Sequence, residues 1–203
     1  MQTVVPIDSS LREMTSHSSY GFPIKYYLDQ TQHYAHQTVN RHWHDELELA
    51  TVWKGVVDYW IGDEKVRLYP GEGVFINTRV IHGYTAEQQA LIPNLVFSPE
   101  MISAGNHMVY QKFVWPILRS QTAFVKLRSD VLWQKTILEL LEKAYHLINS
   151  EEATKELDLN IMLSSIGRNI YLHNNACNQI SKSTNAIMTQ SRLRLMLEFI
   201  YEN

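Results

Sequence analysis

Four residues able to carry chemistry fall at alternate positions in one stretch: His42, His44, Glu46 and Glu48, leading into the apolar run Leu47 to Val52 and a glycine at Gly55. An extended strand sends alternate side chains to one face, so these two imidazoles and two carboxylates are expected on the same side. Imidazole nitrogen with carboxylate oxygen suits a borderline divalent ion such as zinc, nickel, manganese or iron. The same groups also make a hydrogen-bonding floor for a small polar ligand, and their spacing leaves both chemistries open. Trp60 and Tyr84 stand close in sequence to later parts of this pattern and are candidates to stack on a sugar or an aromatic effector. Plain core packing competes with that role, because large aromatics dominate cores.

Short β-branched and aromatic segments must position these groups. They run over 24–28, 34–39, 47–53, 56–61, 65–69, 74–77, 80–84 and 90–98. Turn signals separate them at Lys54-Gly55, Gly62-Asp63 and Pro70-Gly71-Glu72-Gly73. Many short strands punctuated in this way predict an antiparallel sandwich or barrel.

After Ser98 the period changes to that of helices, with Ser98 as N-cap and Pro99 in the first turn. A second short helix, disturbed by Pro116, is expected over 107–118, and 122–127 is ambiguous. Ser129 or Asp130 caps a long helix whose apolar stripe is Trp133, Ile137, Leu140, Leu141, Ala144 and Ile148. Another long helix is expected over 154–173, with Leu159, Met162, Leu163, Ile166, Ile170 and Tyr171 on its apolar side. Residues 1–20 read as a mobile polar arm and 174–189 as a linker. An amphipathic helix begins at Ser191, and the sequence stops inside it at Asn203, which implies a longer protein.

The composition sets limits. A chain of 203 residues with 45% hydrophobic content can bury a substantial core. A net charge of −3 leaves no basic surface for nucleic acid in this segment. The single cysteine, Cys177, excludes an intramolecular disulfide and reads as an inert thiol in a reducing compartment. No signal peptide and no apolar run of about 20 residues is present, so a cytoplasmic protein without a membrane span is expected.

His42-x-His44, Glu48 and Gly55, then Pro70-Gly71-Glu72-Gly73, Asn77 and His82, resemble the two consensus motifs of the cupin barrel. The order of parts resembles the AraC-type transcriptional regulators: an effector barrel, dimerising helices, then a DNA-binding domain with two helix-turn-helix units. The resemblance implies an α+β fold, an antiparallel cupin-like β-barrel (double-stranded β-helix) followed by a helical dimerisation region. It implies an arm at 1–20, a barrel at 21–98 and helices at 99–174. Residues 175–203 would then be a linker and the first helix of the DNA-binding domain, with Arg192 and Arg194 near its start.

The expected partners are a small polar effector, a second copy of the chain, and DNA through a domain beyond this segment. Carried over residue by residue, the metal-ligand positions of the cupins are His42, His44, Glu48 and His82. The ligand-binding candidates are His42, His44, Glu46, Glu48, Trp60, His82 and Tyr84. The expected function is effector sensing without catalysis. The alternative is a metal-dependent cupin enzyme, a dioxygenase or isomerase, favoured by the complete four-residue set and opposed by the trailing helices.

Overall fold

A computed structural model describes residues 3–17 and 22–180. Two antiparallel sheets form its body. The first contains β1 (Ile24–Gln30), β8 (Leu91–Phe97), β3 (Leu47–Thr51), β6 (Gly73–Ile76) and β9 (Phe124–Leu127), in that spatial order. The second contains β2 (Thr38–His42), β7 (His82–Ala86), β4 (Val57–Ile61) and β5 (Glu64–Leu68). The ambiguous segment before the long helices is thus an edge strand beside β6, and the helical region and the barrel share a sheet.

The strands divide their side chains between two cores. Val57, Tyr59 and Ile61 of β4 meet Ala50 of β3, Val74 and Ile76 of β6 and Ile92 of β8 between the sheets. The opposite faces of the same first-sheet strands, through Leu49, Phe75, Leu95 and Phe97, pack on the helices. Because β3, β6 and β8 are covered on both sides, they read as near-continuous apolar runs. β5, half exposed, shows plain alternation. At the turn before β4, Gly55 has φ +84° and lies so close to Ala90 that a Cβ would come within 2.8 Å of it.

The stretch from Arg41 to Glu48 does not form one strand, which corrects the simple alternation expected of it. β2 ends at His42 in one sheet and β3 begins at Leu47 in the other, so a corner intervenes at His44 to Glu46. Asp45 holds that corner, accepting hydrogen bonds from Arg12 at 2.7 Å and Arg79 at 2.6 Å. A bulge in β2 between Val39 and His42 puts His42 directly opposite His82. The extra residue turns Arg41 outward and His42 inward, against strict period two.

Residues 3–17, expected to be a mobile arm, lie along the barrel. Trp43 N–H donates to Leu11 O at 3.0 Å, Glu13 N–H to Trp43 O at 2.8 Å, and Thr3 N–H to His33 O at 2.8 Å. The segment 31–37 forms two short 3-10 turns before β2 where a strand was expected from Tyr34.

The helices are α1 (Glu100–Ser103), α2 (His107–Val109), α3 (Trp115–Leu118), α4 (Leu132–Ile148) and α5 (Lys155–Ile180). A π-helical turn at Tyr110–Val114 joins α2 to α3. It accommodates Pro116, which has no N–H to donate back along the helix. α4 starts at Leu132 with Val131 as cap, because Asp130 pairs with Arg128 instead of capping. α5 runs past His173 to Ile180, since no glycine or proline in that stretch stops it. The remainder of the expected linker, the helix at Ser191 and both C-terminal arginines lie outside the described residues. Among the described residues no helix is long and apolar enough to cross a membrane.

One glycine joins α5 to α1. A Cβ on Gly167 would sit 2.4 Å from Ile102 Cγ2, and Ser164 Oγ donates to Ile102 O at 2.8 Å beside it. Gly167→Ala therefore lowers stability by about 1–3 kcal/mol, although alanine is the better helix former. Urea denaturation checks this. Ile102→Leu, which lacks the Cγ2 branch, recovers part of the loss.

On the outer face of the second sheet, Arg67 donates to Asp58 at 2.7 and 2.8 Å and Lys65 lies 2.8 Å away. The bonds from Arg67, with help from Lys65, hold the Asp58 carboxyl at about 2, below its usual 3.8. A lowered carboxyl pKa adds stability above the unfolded value and loses it as pH falls through the folded one. Both cations are nearly half exposed, so screening trims the effect to about 1 kcal/mol. Asp58→Asn is expected to cost about that at pH 7, with the gap to the parent closing between pH 4 and 2. Denaturant titration at stepped pH reads it out.

Candidate effector pocket and histidine centre

A cavity of about 170 Å³ opens between the sheets beneath the arm. Its walls come from the arm (Glu13, Thr15, His17), from β1 (Tyr27, Asp29) and from β8 (Asn94, Val96). His42, Glu48, His82, Tyr84, Tyr34 and Thr3 add further polar groups to the lining. In the extended arm, Glu13, Thr15 and His17 share one side by period two.

Three imidazoles gather at one end. A ring nitrogen from each of His42, His44 and His82 lies within 4.8 Å of the others. Each Nδ1 donates to a backbone carbonyl: His42 to Asn40 O at 2.9 Å, His44 to Glu46 O at 3.2 Å, His82 to Val80 O at 2.8 Å. A carbonyl can only accept, so the tautomer is fixed and every Nε2 is left for the interior. Glu48 Oε2 stands between two of them, 3.3 Å from His44 Nε2 and 3.0 Å from His82 Nε2.

The electrostatics follow from this packing. Burial works against the Glu48 carboxylate, but the charge of His82 and hydrogen bonds from His44 and His82 outweigh it and hold the carboxyl well below its usual range. Burial alone would lower His82, yet Glu48 raises it above 6.5. His42 is pushed down to about 4 by burial and by the neighbouring His82 charge. The His42 imidazole is thereby neutral near pH 7. Three inward nitrogens with tied Nδ1 atoms and adjacent carboxylate oxygens are a donor set that fits a divalent first-row ion.

The other end is built on Asp29. Tyr34 and Tyr84 hydroxyls each donate to its carboxylate at 2.7 Å and Asn94 Nδ2 donates at 3.0 Å. Burial still raises the Asp29 carboxyl against those three bonds.

The structure brings His42, Glu48, His82 and Tyr84 to the cavity and places His44 beside them. It separates two other candidates. Trp60 faces outward, because its strand neighbours Tyr59 and Ile61 take the interior; it lies between Arg41 and Lys65, 5.6 and 5.2 Å from its ring. Glu46 sits at the corner rather than in a strand, with its side chain 29% exposed and outside the cavity lining.

Asp29, Asn94, Tyr27 and Tyr34 went unread in the sequence. Asn94 does carry a signal: it is the lone polar residue of an otherwise apolar strand. Glu13 and His17 carry none, since an irregular arm has no period that shows where it docks.

A family model described as the AraC-like ligand binding domain matches residues 29–163. The chain is 24% identical over 204 residues to the uncharacterized HTH-type transcriptional regulator YdeC of Bacillus subtilis (strain 168), covering 96% of this chain and 66% of that protein. It therefore spans about two thirds of the length of that curated relative. A solved structure of ToxT from Vibrio cholerae is similar with a TM-score of 0.51 at 8% identity, over 75% of this chain and 58% of that one. An RmlC-like cupin from Shewanella frigidimarina aligns over 42% of this chain and 80% of its own, with a TM-score of 0.35 at 11% identity. The architecture is an α+β, cupin-like fold. With the family model matching well over half of its residues, the chain belongs to the AraC-like ligand-binding domain family.

Proposed function

We propose that the cavity is the effector site of a cytoplasmic DNA-binding transcription regulator, and that its organic ligand is a small polyhydroxyl molecule such as a sugar. The observation that carries this is the acceptor-rich wall: Asp29, Glu13 and Glu48 all line one cavity. Buried carboxylates favour ligands that donate O–H or N–H groups and repel anions. The volume of about 170 Å³ is below the roughly 300–1,000 Å³ of ordinary ligand pockets, which favours a compact ligand. The domain is read as a sensor rather than an enzyme, with DNA contacted by a further helix-turn-helix domain.

Pocket and helices meet back to back. Glu48 and Asn94 face the cavity, while their neighbours Leu49 and Leu95 face the helical core. Tyr145 of α4 donates to Pro93 O at 3.1 Å, the carbonyl next to Asn94. A ligand that shifts Asn94 thus bears on α4, and two conformations of the helical region can be redistributed by occupancy.

The helical region offers a surface for a second copy. Leu157, Ile161 and Leu172 are 61%, 55% and 54% exposed along one stripe of α5. Such a stripe can pair with its own copy about a two-fold axis. Ile161→Glu is expected to convert dimer to monomer in sedimentation velocity.

Thermal-shift screening with pentoses, hexoses and polyols tests the ligand class. A true effector at a hundred times its Kd adds about 2.7 kcal/mol, or roughly 5–10 °C for a chain of this size. The shift is expected to vanish in Asp29→Asn. A flat response across the panel would count against a polyhydroxyl ligand.

A further inference from the structure

The arm brings two potential ligands to the histidine centre. Glu13 Oε2 lies 3.6 Å from His42 Nε2 and 3.4 Å from His17 Nε2. The His17 ring stands 5.4 Å from that of His44. The His17 side chain is only 3% exposed, its Nδ1 is engaged with Tyr27 Oη at 2.9 Å, and its Nε2 faces the Glu13 carboxylate at 3.4 Å outside good hydrogen-bond geometry. Buried polar atoms are nearly always well paired, so an imidazole nitrogen held only loosely by a carboxylate, beside the histidine cluster, is a donor suited to a cation.

The arm is held in this position by the residue between the two histidines of the barrel motif. Trp43 pairs by backbone with Leu11 and Glu13, and its Nε1–H donates to Ser10 O at 2.8 Å. This register fixes Glu13, and with it His17 at the next-but-one inward position, over His42 and His44.

Resting on the reading of this cavity as the effector site, we propose that Glu13 and His17 close a divalent transition-metal site whose barrel half is His42, His44 and His82, so that the ion pins the arm across the pocket. Nitrogen and carboxylate donors select a first-row ion such as zinc, cobalt or nickel over calcium or magnesium. The three barrel nitrogens lie up to 4.8 Å apart and Glu13 Oε2 is 3.6 Å from His42 Nε2, so small side-chain rotations bring these donors to the roughly 3–3.5 Å separations of ligands bound at about 2.0–2.1 Å. The polyhydroxyl ligand then occupies the Asp29 end, and the ion couples arm and barrel at the other.

The experiment uses the purified, chelator-treated chain. Co²⁺ is titrated while its visible absorption is followed, Zn²⁺ is used to displace it, and trypsin cleavage after Arg12 is timed with and without metal. Near-stoichiometric binding is expected. His17→Ala and Glu13→Gln each weaken it by about 10–100-fold and alter the Co²⁺ band, as loss of a ligand or its close support does. Metal slows cleavage after Arg12 in the parent by roughly tenfold or more and has no such effect in His17→Ala.

Both arm residues lie outside the hydrophobic clusters, and circular dichroism is used to check that the variants fold. Absence of Co²⁺ or Zn²⁺ binding overturns the proposal, as does binding with unchanged affinity and spectrum in both arm variants. Should the metal proposal fall in either way, a thermal shift with a sugar or polyol that persists in chelator leaves the effector reading standing.

Discussion

Glu48→Leu, measured by denaturant unfolding in the presence of a chelator, is expected to cost about 4 kcal/mol, and Glu48→Gln about 2. Glu48 is buried between His44 and His82, at 3.3 and 3.0 Å from their Nε2 atoms, and both rings are themselves buried. Removing one member of a buried, hydrogen-bonded ion pair leaves the other charge uncompensated, which costs about 3–5 kcal/mol. Glutamine keeps an acceptor oxygen and loses only the charge, so it sits at the lower value. A Glu48→Leu variant as stable as its parent would show that the pair adds nothing to stability, as happens when an apolar replacement packs well. The expected order, parent above Gln above Leu, separates that outcome from simple loss of charge.

Trp43→Ala is the second large effect. Trp43 is fully buried, and it belongs both to the barrel corner and to the docking of the arm. Truncation leaves a cavity the size of an indole, at a cost of about 3–5 kcal/mol. It also removes the Nε1 bond to Ser10 O and the ring beneath the Arg12 guanidinium, which lies 5.7 Å from the ring centroid. Local opening of the arm becomes more frequent, and each 1.4 kcal/mol of it raises cleavage after Arg12 about tenfold. Trp43→Phe retains most of the packing but not the indole bond, so it should free the arm with a smaller loss of global stability. If the alanine variant lost stability while cleavage after Arg12 stayed at the parental rate, the arm would be held by its other contacts, among them the 2.7 Å pair of Arg12 with Asp45.

These two residues show where sequence and structure part. Trp43 is flanked by the two motif histidines, and nothing in its type or position reveals that it anchors a segment thirty residues upstream. Glu48 is legible as a candidate from its spacing alone, but its partners are not. His82 comes from a strand paired across the second sheet, and the bulge that turns His42 toward it breaks the alternation from which a reader would place it.

The sequence by itself determined the class of fold. Short apolar segments between glycine turns specify antiparallel sheets, because the two-residue period and the turn residues act locally. It also determined the helical region that follows, since the stripe of α4 is a property of neighbouring residues, and it marked His42, His44 and Glu48 as candidates by their spacing.

The tertiary structure alone decided that β2 and β3 lie in different sheets and that Trp60 faces out. It also decided that β9 completes the barrel sheet and that Asp29, Asn94, Glu13 and His17 share a cavity with the motif. Each of those depends on contacts between segments distant in the chain. Loop closure and packing fix such contacts together, and no local preference encodes them.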